Sequence, residues 1–127
     1  MCSHRALPLC DHPVTRRMLE YAEKRAIGSL TKDEQASVRA ESSALYDALY
    51  PGYGSPTAEV LALSAIGEAV FTVDPLTATI NVVLFVADAI ATAAGTKADP
   101  NDYDAAYEAA YLTECEAELA LLEQLIV

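Results

Sequence analysis

Six prolines and five glycines punctuate this chain. Most of them stand at the ends of segments whose apolar residues recur with helical period. That punctuation constrains the fold more than any other feature. Pro13 suits the first turn of a helix, where a missing N–H costs nothing. Asp11 or His12 can cap that helix and Gly28 can close it, which predicts a first helix over 13–27 with Val14, Met18, Tyr21, Ala22 and Ala26 at helical spacing. Thr31 and Glu34 have the spacing of a capping box, so a second helix is expected over 32–50, with Val38, Leu45 and Leu49 facing inward. The run Pro51-Gly52-Tyr53-Gly54 breaks the chain.

Ser55-Pro56 reads as a cap and a first-turn proline, opening a third helix over 56–72 that carries Val60, Leu61, Leu63, Ala65, Ile66, Ala69 and Val70. Asp74-Pro75 repeats the device. The fourth helix that follows is apolar on nearly every face until Gly95, which belongs in the middle of a bundle. Thr96 to Asn101 is a polar loop, and the last helix starts at Asp99-Pro100 or Asn101. It carries Tyr103, Tyr107 and Tyr111 at four-residue spacing and an apolar stripe of Leu112, Cys115, Leu119, Leu122 and Ile126. The expectation is all-α: one domain over 1–127, a compact bundle of about five helices with the fourth central, and residues 1–11 a mobile N-terminal segment. The chain is 53% hydrophobic but only 7% aromatic and lacks Trp, which suits closely packed Ala- and Leu-rich helices.

Formal net charge is −11, and its distribution is uneven. Residues 1–50 carry seven bases and seven acids, whereas 51–127 carry twelve acids against Lys97 alone. Direct binding to nucleic acid is disfavoured, because cationic side chains supply most of that affinity. A basic protein partner fits better. The stretch 76–94 has the length of a membrane span, yet Asp88, Asn81 and three threonines interrupt it and no positive flank orders it. A buried central helix is therefore expected, with no membrane role. Three cysteines without a secretory leader point to reduced thiols and a cytoplasmic setting.

The run His12-Pro13-Val14-Thr15-Arg16-Arg17 precedes Leu19-Glu20-Tyr21-Ala22-Glu23, then Gly28 through Glu34, and the chain closes on Glu114-Cys115-Glu116-Ala117-Glu118-Leu119. This pattern resembles a helical segment of uncharacterised bacterial proteins. The resemblance implies a helical bacterial domain and assigns no catalytic residue.

Cys2-Ser3-His4 and Cys10-Asp11-His12 place four potential zinc ligands in the first twelve residues and use every histidine in the chain. The Cys-x-His spacing chelates less readily than longer gaps, and a frayed terminus with His12 as a cap is the plainer reading. No cofactor and no stoichiometric zinc are expected. Asp104/Glu108 and Glu114/Glu118 are i,i+4 pairs on the last helix, read as a solvated acidic face. Asn81 and Asp88 share one side of the fourth helix, where the aspartate calls for an arginine partner or a solvent edge. The tyrosine ladder, with Tyr46, Tyr50 and Tyr53 near the first long loop, reads as a margin of the core or as an aromatic binding surface. Neither a nucleophile elbow nor a complete phosphate loop is present.

The functional expectation is a non-enzymatic acidic interaction domain, of inhibitor or immunity type, whose surface comprises Tyr103, Asp104, Tyr107, Glu108, Tyr111, Glu114 and Glu118. The alternative is a metal-binding or catalytic helical domain using Cys2, His4, Cys10 and His12, or the last-helix carboxylates.

Overall fold

The computed structural model describes residues 2–50, 52 and 55–126, with the side chains of 2, 3, 125 and 126 outside the description. The architecture is a helical bundle. A 3₁₀ helix, Cys2–Leu9, precedes α1 (Pro13–Ala26), α2 (Lys32–Leu49), α3 (Ala58–Phe71) and α4 (Pro75–Lys97). A single 3₁₀ turn, Pro100–Asp102, leads into α5 (Tyr103–Ile126). There is no strand among the described residues.

Local chemistry explains where most helices begin. At α2 the Thr31 hydroxyl accepts from the Glu34 amide, and the Glu34 carboxylate accepts from the Thr31 amide. At α4 the Asp74 carboxylate accepts from the Thr77 amide, with Pro75 in the first turn. His12 is the N-cap of α1, and its amide donates to the Thr15 hydroxyl at 3.0 Å. Gly28 ends α1 with φ 75, a left-handed conformation that L side chains rarely adopt, while the Ser29 amide reaches back to the Lys24 carbonyl. Two sequence readings are corrected. Thr57, not Ser55, caps α3, because its hydroxyl is the one that accepts from the Val60 amide. Gly95 does not stop α4, which runs on to Lys97. Of the expected chain break after α2, Pro51, Tyr53 and Gly54 lie outside the described residues.

The core is built around α3. Val60, Leu61, Ala62, Leu63, Ala65, Ile66 and Val70 are all buried there, packing with Met18 and Leu19 of α1, Val38 of α2, and Val82, Val86 and Ala89 of α4. Fully burying a Val or Ile side chain contributes roughly 1.5–3 kcal/mol, so this cluster dominates the stability of the bundle. Arg25, from the last turn of α1, donates to the carbonyls of Val70 and Thr72 and thereby satisfies the C-terminal end of α3. Arg39 of α2 stacks 4.4 Å over the Phe71 ring.

Helix α4 is central, as its apolar sequence implies, and packs against α3, α5 and the N-terminal 3₁₀ helix. Among the described residues it is the one helix long and apolar enough to cross a membrane by length and composition. In this fold it packs between α3 and α5, with 33% of its most apolar window buried. Residues 4–9 of the segment expected to be mobile belong to a helix laid on α3 and α4, with Ala6 fully buried.

Candidate functional site

Two places in the bundle gather polar side chains that the core does not explain. The first is the α4–α5 face. The rings of Tyr103, Tyr107 and Tyr111 stack along α5 with centroid separations of 6.2 and 5.9 Å. Tyr103 lies against Gly95, where an added Cβ would meet its ring at 2.7 Å. Tyr107 donates its hydroxyl to Asp88 at 2.6 Å, and that bond to a carboxylate, more than burial, raises the phenol above its ordinary range. Asp88 thus meets a tyrosine in place of the arginine that was one expectation, and it is half-buried at the edge of a groove, in keeping with the other. Asn81 on the same side donates to Glu68 at 3.2 Å.

Between the helices lies an open groove of about 410 Å³ lined by Asn81, Leu84, Phe85, Asp88, Tyr107 and Tyr111. On the outer side of the ladder, Asp104, Glu108 and Leu112 line a second concavity with the same tyrosines. An apolar row leads into the first groove: Leu76, Ile80 and Leu84, one helical turn apart on α4, are 69%, 50% and 47% exposed. Tyr46 and Tyr50 pack edge to face near the end of α2, away from the ladder in sequence, while Tyr53 lies outside the described residues.

The last helix is oriented differently from the sequence reading. Asp104 and Glu108 are solvent-exposed, but Glu114 and Glu118 are buried and do not belong to an outward acidic face. The cause is Arg5. Its guanidinium reaches from the N-terminal 3₁₀ helix to both carboxylate oxygens of Glu114. With Tyr103 lying against Gly95 and Tyr107 bonded to Asp88, this turns Glu114 and Glu118 inward and leaves the three tyrosines along the α4 seam, Tyr103 exposed and Tyr107 and Tyr111 half-buried. Leu112 and Leu119 of the expected apolar stripe consequently point outward, each 56% exposed. Glu118 is fully buried, and among the described residues neither carboxylate oxygen has a hydrogen-bond partner. Burial first, and the neighbouring Glu114 second, push its carboxyl up to about 8, with Arg5 pulling in the opposite direction. Cys115, beside Tyr111, is an unpaired thiol raised chiefly by burial.

The second place is the junction of the N-terminal segment, α1 and α3. Cys10, His12 and Glu59 each present one potential ligand atom, and these atoms lie within 4.8 Å of one another. His12 Nε2 is 2.8 Å from Glu59 Oε1. Cys10 is buried, 1% exposed, whereas His12 and Glu59 border solvent. Burial above all, with Glu59 and Asp11 adding to it, pushes the Cys10 thiol up to about 12. Of the four ligands suggested by sequence, the fold joins Cys10 and His12. His4 lies instead 3.4 Å from Glu23, and the side chain of Cys2 is outside the described residues. Sequence reasoning missed Glu59, which is 47 residues from His12 and stands in the first turn of a helix with nothing local to mark it.

No family model, curated protein or solved structure matches this chain.

Proposed function

We propose that this chain is a non-enzymatic interaction domain whose α4–α5 face receives a basic amphipathic segment of a partner protein. One observation carries the reading: the exposed row Leu76–Ile80–Leu84 runs into a tyrosine-walled groove that holds Asp88, the outer side of the same tyrosine ladder holds Asp104 and Glu108, and among the described residues no cation lines either concavity. Tyrosines give an interface large rings with hydroxyls that tolerate water, and exposed leucines supply apolar area. Carboxylates at the rim steer a cationic partner and reject an anionic one. A second copy of the chain is a poor occupant, because each copy carries a formal charge of −11. An inhibitor or immunity-type protein that masks a basic partner is the concrete form of this function. Glu114 and Glu118 have no part in the surface.

A defined probe tests the reading. A lysine- and leucine-rich peptide patterned as an amphipathic helix is compared with a scrambled peptide of identical composition. The patterned peptide is expected to bind. Its association should slow in Asp104→Asn/Glu108→Gln, and faster dissociation is expected in Leu84→Ser. Added salt should weaken binding, since exposed charges lose reach beyond about 8 Å at physiological ionic strength. Equal binding of the scrambled peptide, or association rates unchanged by the acidic substitutions, would refute the proposal.

A further inference from the structure

The Cys10–His12–Glu59 junction supports a separate inference that does not depend on the docking face. We propose that these three side chains form a binding site for a zinc-class divalent cation, with one coordination position open to water. The donor set is the first argument. A thiolate, an imidazole and a carboxylate are the ligand types zinc takes, and a sulfur donor disfavours magnesium and calcium. A thiolate and a carboxylate also neutralise a divalent charge, so the loaded site carries no net charge.

Geometry is the second argument. Zinc–ligand bonds of about 2.0–2.3 Å in a tetrahedron place donor atoms about 3.3–3.6 Å apart, so donors already within 4.8 Å need to close by about an ångström. The present 2.8 Å His12–Glu59 contact widens slightly when a metal takes the place of the shared proton.

The backbone that carries the donors is already fixed. The Thr15 hydroxyl is 2.6 Å from the Cys10 carbonyl and accepts from the His12 amide at 3.0 Å, which ties both residues to the start of α1. The Thr57 cap fixes the first turn of α3, where Glu59 stands. Asp11 is held aside by Arg16 through two bonds of 2.6 and 2.8 Å, adding negative potential without competing as a ligand. The same three residues have the composition of a Cys-His-acid nucleophile. A thiol that is 1% exposed cannot meet a substrate, however, whereas it can meet an ion entering between the half-exposed His12 and Glu59. A metal here would clamp the N-terminal segment and α1 onto α3.

The experiment uses the full chain, reduced and stripped with a chelator, then titrated with Zn²⁺ against a chromophoric competitor and separately with Co²⁺. About one equivalent should bind per chain, and Co²⁺ should show a near-ultraviolet thiolate-to-cobalt charge-transfer band. That band should vanish in Cys10→Ser and persist in Cys115→Ser. Because Cys10 is buried and its replacement can perturb folding, Glu59→Gln provides an independent arm. It should keep its circular-dichroism spectrum while zinc affinity falls by more than about tenfold, the lower end of losses caused even by outer-shell changes. Failure of the native chain to compete for zinc overturns the inference. So does an affinity unchanged in both Cys10→Ser and Glu59→Gln, or a charge-transfer band that depends on Cys2 or Cys115 instead of Cys10.

Discussion

Helices α3 and α4 are both apolar along most of their length, yet they are buried to different degrees. In α3, seven of fourteen residues are buried, and in α4 six of twenty-three. The difference lies in their neighbours. The N-terminal 3₁₀ helix packs on both, but α3 is also enclosed by α1, α2 and α4, whereas the long α4 has only α3, α5 and the short Pro100–Asp102 turn besides. Its first half therefore keeps Leu76 and Ile80 in solvent while Val82, Val86 and Ala89 enter the core. Apolar composition brings a helix into the bundle, but how much of its length and circumference its neighbours cover determines which faces are dry. The dry faces of α3 hold the fold together. The wet face of α4 is the one on which the proposed docking rests.

The contrast predicts its own largest effect. Ile66→Ala in α3 removes a fully buried side chain from the middle of the cluster and should cost about 2–5 kcal/mol. Ile80→Ala in α4 removes the same atoms from a half-exposed position and should cost less than about 1 kcal/mol. Urea denaturation of the two variants checks this. Similar losses would show that the α4 row is structural, and would remove the reason for treating it as a docking surface.

Glu118 sharpens the comparison where α5 covers α4. Its folded-state carboxyl, pushed up to about 8, keeps its proton in a range where an unfolded glutamate, with its ordinary value of 4.5, has lost it. The folded state then binds more protons than the unfolded state, so stability falls as pH rises from about 4.5 to about 8. The groups facing this carboxyl include Arg5, Glu114, Cys115 and Tyr111. Glutamine mimics the protonated acid. Glu118→Gln should therefore lie within about 1 kcal/mol of the native protein at pH 5 and exceed it by about 4 kcal/mol at pH 8. Coincident urea midpoints at pH 8 would mean that the carboxylate is solvated there.

Most features set by neighbouring residues were legible in the sequence, the Ser55 cap and the Gly95 stop being the exceptions, and side-chain partners brought together by folding were not. The Thr31–Glu34 box, the Asp74-Pro75 start and the Gly28 stop are chemistry within a few residues, and the structure has all three. The orientation of α5 depends on Arg5, 109 residues from Glu114, so an i,i+4 pair of glutamates looked like a solvated face. Glu59 was invisible for the same reason, since only folding brings α3 to His12. Cys10 and His12 stood out because their spacing is local, but the burial that immobilises Cys10 is not.

Gly95 is the subtlest of these cases and supplies the smallest expected effect. On helix propensity alone, Gly95→Ala should stabilise α4 by about 1 kcal/mol. The structure opposes that gain, because the new methyl would lie 2.7–2.9 Å from three ring atoms of Tyr103, a ring with no room to stay where it is. Overpacking costs roughly 1–3 kcal/mol, so it outweighs the propensity gain and leaves a net loss on the order of 1 kcal/mol. A double-mutant cycle separates them. In a Tyr103→Ala background the clash is absent, and Gly95→Ala should then raise the urea midpoint, reversing its sign. If Gly95→Ala has the same effect in both backgrounds, the glycine does not seat the tyrosine, and the close approach of α4 and α5 that shapes the groove must have another cause.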